Sequence, residues 1–337
     1  MELGLVCAEP SPVTTDVSRL DRTTWQVVSS RTAMGTLVAI TAIGRSEHTL
    51  EYAIGTAFEE MDRLIDLFNR YDSSSPLSQL NQAGHLDAPP PELAHVVGCA
   101  LGYHRLSSGA FDISVAPIVD LFVKRFGGAV PAPPSAAEIS EVLDLVGARH
   151  VAASRRRITL AREGMALTLD GIAKGYIVDA IAKALERSGV RQFLINAGGD
   201  IRAKGRKTGA RPWTVAVQDP WQRGEWPDTI HLRDAAVATS GNYEVSFDDD
   251  RLFHHIVNAR TGRSPRLAAS VSVVAPTAVV ADALATSVFV MGPEAGVAFV
   301  DGQRGCACLV IDRDGTQLKS RHWSSAPHPA DGGTQAS

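Results

Sequence analysis

The chain has no excess of positive charge, no metal-spaced cysteines and no unbroken membrane-length apolar run. Its 33 Lys and Arg stand against 37 Asp and Glu, a formal net charge of −4. The basic residues are scattered, so the electrostatic footprint of a nucleic-acid binder is missing. Cys7, Cys99, Cys306 and Cys308 fit no zinc spacing and call for no oxidising compartment. Cys306 and Cys308 flank one alanine in GCACLVI, which reads as a buried strand with both thiols on one face. The most apolar window, residues 267–291, is long enough for a span, but Pro276 and Asp282 interrupt it. A buried strand followed by a buried helix fits better, and no transmembrane segment is expected.

Other signatures are absent too. There is no Walker loop, no GxGxxG dinucleotide fingerprint and no internal repeat. At the N-terminus, LGLVC loosely echoes the end of a lipoprotein signal, without a basic region before it and with too short an apolar run. As written the chain carries no export signal and reads as cytoplasmic. An upstream start would be able to supply a signal, so localisation stays open.

What is present is a sizeable core: 45% of residues are hydrophobic and 21% charged, the profile of a soluble globular protein. Residues 1–22 and 324–337 are polar, small or Pro/Gly-rich and are expected to be disordered. Residues 23–323 are expected to form one large domain, with room for two lobes. Apolar spacing by threes and fours predicts helices over 47–70 and 92–107, and a helix follows Lys174. Short strands are expected at 151–153 and 157–160. A run of strands follows residue 190, including 229–240 and a strand through His255. Interspersed helices with clustered consecutive strands predict an α+β fold, mixed α/β layers rather than a doubly wound sheet.

Several segments carry chemistry. TLDGIAKGYIVD places Lys174 between Gly171 and Gly175 at a helix start, a suitable place for an anion such as phosphate or, equally, for a solvent-facing lysine past a glycine turn. INAGGD and ATSGNYE end strands in tight polar turns that would accept close approach of a ligand, or simply turn. In VADALATSVFVMG, Asp282 and Thr286 are one helical turn apart in apolar surroundings. A buried carboxylate there requires a cation or strong donors. Carboxylate and hydroxyl oxygens are the ligand type Mg²⁺ takes, and a salt bridge to Lys or Arg is the alternative. His255, beside Asn258 and Arg260, is a candidate general base or a structural histidine.

In order, AMGT, NRYDSSSPLSQLN, GAFDISVAPIVDLF, TLDGIAKGYIVD, NAGGDIRAKG, ATSGNYE, HIVNARTG and SVVAPTAVVADALATSVFVMG resemble the FAD:protein FMN transferases, the ApbE-type family. The likeness covers roughly residues 25–315. It implies a flavin transferase domain over 23–323, with FAD as substrate, Mg²⁺ as cofactor, and transfer of FMN to a Thr or Ser of an acceptor flavoprotein with release of AMP. Carried over, Met34 and Tyr71 would line the flavin pocket. The Ala110-Phe111-Asp112 turn and Ile256 would contact FAD, and Lys174 would approach the pyrophosphate or adenylate side. Asp282, Thr286 and the Gly171 carbonyl would hold the metal, with His255 as base. Similar enzymes serve extracytoplasmic flavoproteins, which would imply export. One position departs from the pattern: Thr168 stands where an aspartate normally contacts FAD, and Asp170, two residues on, is the candidate substitute. Activities left open by the residues are FAD pyrophosphatase, flavin oxidoreductase and non-catalytic flavin carrier.

Overall fold

The computed structural model describes residues 11–326, apart from 222 and 225. Its centre is an antiparallel sheet of nine strands. In chain order the first elements are β1 (Thr14–Arg19), β2 (Trp25–Ala33), β3 (Thr36–Gly44) and helix α1 (Glu47–Phe68). Next come α2 (Pro76–Ala83), β4 (His85–Asp87), α3 (Pro91–Leu106), α4 (Ala116–Phe126) and α5 (Ala136–Leu143). Two short strands, β5 (Val151–Ala153) and β6 (Arg157–Leu160), precede α6 (Ala173–Arg187). Then follow β7 (Gln192–Ala197), β8 (Asp200–Lys204), β9 (Trp213–Ala216), β10 (Thr229–Leu232) and β11 (Ala235–Gly241). The last elements are β12 (Ala268–Ala275), α7 (Ala278–Met291), α8 (Pro293–Asp301), β13 (Ala307–Asp312) and β14 (Gln317–Lys319).

The large sheet runs β1-β2-β3-β7-β8-β11-β12-β13-β14, with β4-β6-β5 and β9-β10 as separate small sheets. Period-two alternation decides what each face meets. On β7, Phe193, Ile195 and Ala197 enter the core under the helices, while Leu194 faces the cluster formed with Trp213, Val215, Ile230 and Leu232 of the β9–β10 ribbon. Helices α1, α6 and α7 lie side by side on the first face. α1 starts cleanly because Ser46 caps it, accepting from the Thr49 N–H, and its Leu50, Ile54, Met61 and Leu64 bury one stripe. The mixed-layer α+β expectation is met.

Three expectations change. Residues 14–19, expected to be disordered, form β1, paired along its full length with β2; four of its six side chains are exposed and Val17 packs only at the edge of the core, which is why composition hides the strand. The remaining end segments, 1–10 and 327–337, lie outside the described residues. The single strand expected over 229–240 is two strands in different sheets. It breaks at Arg233-Asp234, where Asp234 takes a left-handed φ of 51°. Finally, His255 is not on a strand. Residues 242–266 are loop with two isolated bridges, Ser246 to His254 and Asn258 to Arg263.

That loop is nonetheless anchored. Phe247 and Val257 pack with Ile118, Val119 and Phe122 of α4. Phe122 meets Phe247 and Phe253 edge-on at centroid distances of 5.8 and 5.3 Å. Cys306 and Cys308 are buried in one apolar cluster with α7, as their spacing predicts. Among the described residues no helix is long and apolar enough to cross a membrane.

Candidate active site

A cavity of about 340 Å³ opens where the β2–β3 and β7–β8 turns meet the start of α6 and the Asp282–Thr286 turn of α7. The turns fit against each other because the β7–β8 turn carries no side chain where it meets Thr36. Met34 and Gly35 both have left-handed φ, 53° and 68°, the two-residue turn whose twist matches paired strands. Gly198, at φ 63°, closes the β7–β8 hairpin, and a Cβ there would stand 2.3 Å from the Thr36 hydroxyl.

The lining includes Met34, Ala110, Phe111, Asp112, Thr168, Gly171, Lys174, His255, Ile256, Asp282 and Thr286. The fold therefore brings together every sequence-predicted site residue except Tyr71. Tyr71 lies outside the lining, 41% exposed, with the Arg70 guanidinium stacked 4.5 Å from its ring and hydrogen-bonded to its hydroxyl. Asp112 faces the cavity but is occupied internally. Its carboxylate accepts from Ser114 N and Oγ and from Ala148 N, with His104 Nδ1 at 3.3 Å. Burial works against that charge, yet these donors hold the carboxyl below its ordinary range. Asp112 thus fixes the shape of the 107–115 loop.

Asp282 is buried on α7, and its Oδ2 accepts the Gly175 N–H at 2.9 Å. One turn on, Thr286 Oγ1 lies 3.4 Å from Ser240 Oγ and 2.9 Å from where a Gly171 Cβ would be. Gly171, Asp282 and Thr286 all line the one cavity, with Thr286 against Gly171.

Lys174 has partners the sequence did not name. Its Nζ lies 3.8 Å from Asp200 Oδ2 and 3.7 Å from Glu244 Oε2. Burial disfavours its charge, but Asp200, Glu244, Asp282 and Asp170 together push its pKa above the usual lysine value. Asp200 is almost wholly buried, and its Oδ2 makes no hydrogen bond. Burial, with the nearby Glu244 and Asp179 charges, raises Asp200 to about 6 against the pull of Lys174. Asp282 is raised well above the ordinary range, first by burial and then by the Asp200 charge. Three carboxylates thus face one ammonium, an arrangement in want of further positive charge. One signal in the sequence could have found Asp200: an acid opening a strand just after a Gly-Gly turn.

The two adjacent histidines separate cleanly. His254 is fully buried, its Nε2 donating to the Pro265 carbonyl, and burial drops its pKa to about 3. It is a neutral core residue. His255 lines the cavity, and its Nδ1 lies 3.2 Å from the Val245 carbonyl. A carbonyl can only accept, so Nδ1 carries a proton, and in the neutral ring Nε2 is the acceptor nitrogen. Backbone N–H to the same carbonyl, also 3.2 Å, fixes the residue further.

Thr168 is buried, its N–H bonded to the Ile113 carbonyl and its hydroxyl accepting from Asp170 N at 3.3 Å. Asp170 lines the cavity beside it.

The chain is similar to proteins of known family along most of its length. The sequence profile described as the ApbE family matches residues 34–310. A Treponema pallidum protein named FAD:protein FMN transferase is 35% identical over 293 residues, 79% of this chain and 78% of that one. A Vibrio cholerae protein of the same name is 30% identical, covering 86% of this chain and 88% of its own. The crystal structure of the ApbE protein of Thermotoga maritima superposes with a TM-score of 0.79 at 29% identity, covering 88% of this chain and 97% of that one. With the profile spanning well over half of its residues, this chain is a member of the ApbE family.

Proposed function

We propose that this protein transfers the FMN half of FAD to a Thr or Ser hydroxyl of an acceptor flavoprotein and releases AMP, with Mg²⁺ as cofactor. The observation that carries the reading is the joint presence, in one cavity, of the His255 imidazole with Gly171, Asp282 and Thr286. The relatives' shared name supports it.

The residues present suit a divalent cation. Asp200 has an orphan buried oxygen, Asp282 is buried among like charges, and the set holds carboxylates in excess of Lys174. Among the described residues no three His, Cys, Asp or Glu side chains form a metal cage by themselves. Mg²⁺ keeps waters and completes its shell with substrate phosphates, so it needs no all-protein cage. Asp282, the Thr286 hydroxyl and the Gly171 carbonyl would hold it. When bound it would neutralise charge developing on pyrophosphate oxygens.

The chain's own groups then do the rest. His255 Nε2 takes the proton from the acceptor hydroxyl. The freed oxygen bonds to the FMN phosphorus, the phosphorus–oxygen bond to the AMP half breaks, and AMP leaves with that bridging oxygen. The Lys174 ammonium, held by Asp200 and Glu244, keeps positive charge beside the phosphates. Asp112 and Phe111 shape the wall against which the flavin half rests. Most of the acceleration comes from positioning.

The test is AMP release from FAD with Mg²⁺ or EDTA, with and without an acceptor carrying threonine. Mg²⁺-dependent AMP with flavin left covalently on the acceptor is the expected result. Equal AMP without acceptor identifies a pyrophosphatase. Bound FAD with no AMP under any condition identifies a carrier, and metal-independent reduction of retained FAD identifies an oxidoreductase.

A further inference from the structure

Helix α7 carries Asp282 and Thr286, yet it does not cap itself. Thr277 stands at the N-cap position with no side-chain cap bond, and its hydroxyl is buried without a partner. The first-turn N–H groups that a cap would satisfy point instead at another helix. Asp179 of α6 accepts Ala278 N at Oδ1 and Val279 N at Oδ2, both at 3.0 Å. Asp179 is buried, and Arg202 of β8 flanks it, with Nε 3.8 Å from Oδ1 and Nη1 donating to the Pro276 carbonyl.

Two one-turn spacings make this a register device. Asp179 lies four residues after Gly175 on α6, and Asp282 lies four after Ala278 on α7. Gly175 N–H bonds to Asp282 Oδ2, and the Gly175 Cα passes so close to α7 that a Cβ would stand 2.5 Å from the Ala278 carbonyl. The helices therefore meet twice, Gly175 at Asp282 and Asp179 at Ala278, and no slide of one turn keeps both contacts.

We propose that Asp179 is a positioning residue: by capping α7 from α6 it sets the register that places Asp282 and Thr286 opposite Gly171 and Lys174. It touches neither the cavity lining nor the reacting atoms. The inference rests on the reading of the Gly171–Asp282–Thr286 cluster as a metal site. Loss of such a supporting partner typically lowers metal affinity about 10- to 100-fold.

The experiment is a titration of Mn²⁺ into the full-length protein with saturating FAD and no acceptor, free ion counted by electron paramagnetic resonance, for the parent, Asp179→Asn and Asp282→Ala. Thermal melts and FAD fluorescence accompany each variant. Asparagine keeps the size but offers one acceptor oxygen where two N–H groups need one each. The expected result is cooperative melting and retained FAD binding in Asp179→Asn, with Mn²⁺ affinity down about tenfold, and loss of the Mn²⁺ site in Asp282→Ala. Parental Mn²⁺ affinity in folded Asp179→Asn, with the site lost in Asp282→Ala, overturns the register role and leaves the metal reading standing. Parental affinity in Asp282→Ala removes the metal reading and this inference with it. Should Asp179→Asn not fold, Arg202→Gln decides in its place: weakened Mn²⁺ binding supports the role and parental binding overturns it.

Discussion

The backbone N–H of Gly175 donates to the buried carboxylate of Asp282, so the glycine following Lys174 is where two helices touch and where the acid is held. Any side chain at 175 would collide with Ala278 O at 2.5 Å and Asp282 Cβ at 2.8 Å. Gly175→Ala is expected to lower stability by about 1–3 kcal/mol, as overpacked cores do, and to cost activity beyond that loss. Gly55, exposed within α1 with nothing within 4 Å, is the control. Gly55→Ala should stabilise by about 0.5–1 kcal/mol. Denaturant melts of both variants give the comparison.

His255→Gln should reduce turnover roughly 10²–10⁴-fold while FAD binding persists, the usual range for a lost general base. The measurement is single-turnover AMP formation beside flavin fluorescence titration. Near-parental turnover in this variant would remove His255 from the proton-transfer step.

Asp200 makes stability depend on pH in a definite direction. Its folded-state value, about 6, lies above the ordinary 3.8. Stability linked to it is fully present below about pH 4 and is lost as pH rises through 6, where the folded state must ionise a buried acid. Asp200→Asn removes that dependence. Without added metal, the variant should therefore gain on the parent by on the order of 3 kcal/mol between pH 4 and 7. Unfolding midpoints across that range test it, and a gap that stays constant with pH would refute it.

We propose that Asp170 serves in place of the aspartate that the family pattern puts at position 168. We expect Asp170→Ala to raise the KM for FAD about 10-fold or more, the loss of one hydrogen bond to a charged group. Thr168→Ala, whose hydroxyl serves the Asp170 N–H, should change KM less. Steady-state kinetics with varied FAD distinguish the two.

Much of this was legible from sequence where periodicity or burial leaves little choice. Helix α1 follows its apolar stripe, β5 and β6 fall where short β-prone runs stand, and the acid in the apolar run 278–291 announces Asp282. What was not legible depends on partners distant along the chain. Asp200 and Glu244 matter because both reach Lys174, and Asp179 because its carboxylate faces another helix. The stretch around His255 has a strand's composition, but Phe247, Phe253 and Val257 bury themselves on α4 rather than in a ladder. Tyr71 stacks on Arg70, whose guanidinium is itself held by Asp120, a pairing that composition does not announce.

The cavity draws its walls from Met34 near the start of the fold and Thr286 near its end, with contributions from six segments between. No contiguous half of the chain contains it, so a ligand held there discriminates between the whole native fold and everything less complete. Occupancy then works as a thermodynamic brace on the entire molecule: at 100 times its dissociation constant, a ligand adds about 2.7 kcal/mol to global unfolding rather than stiffening one region.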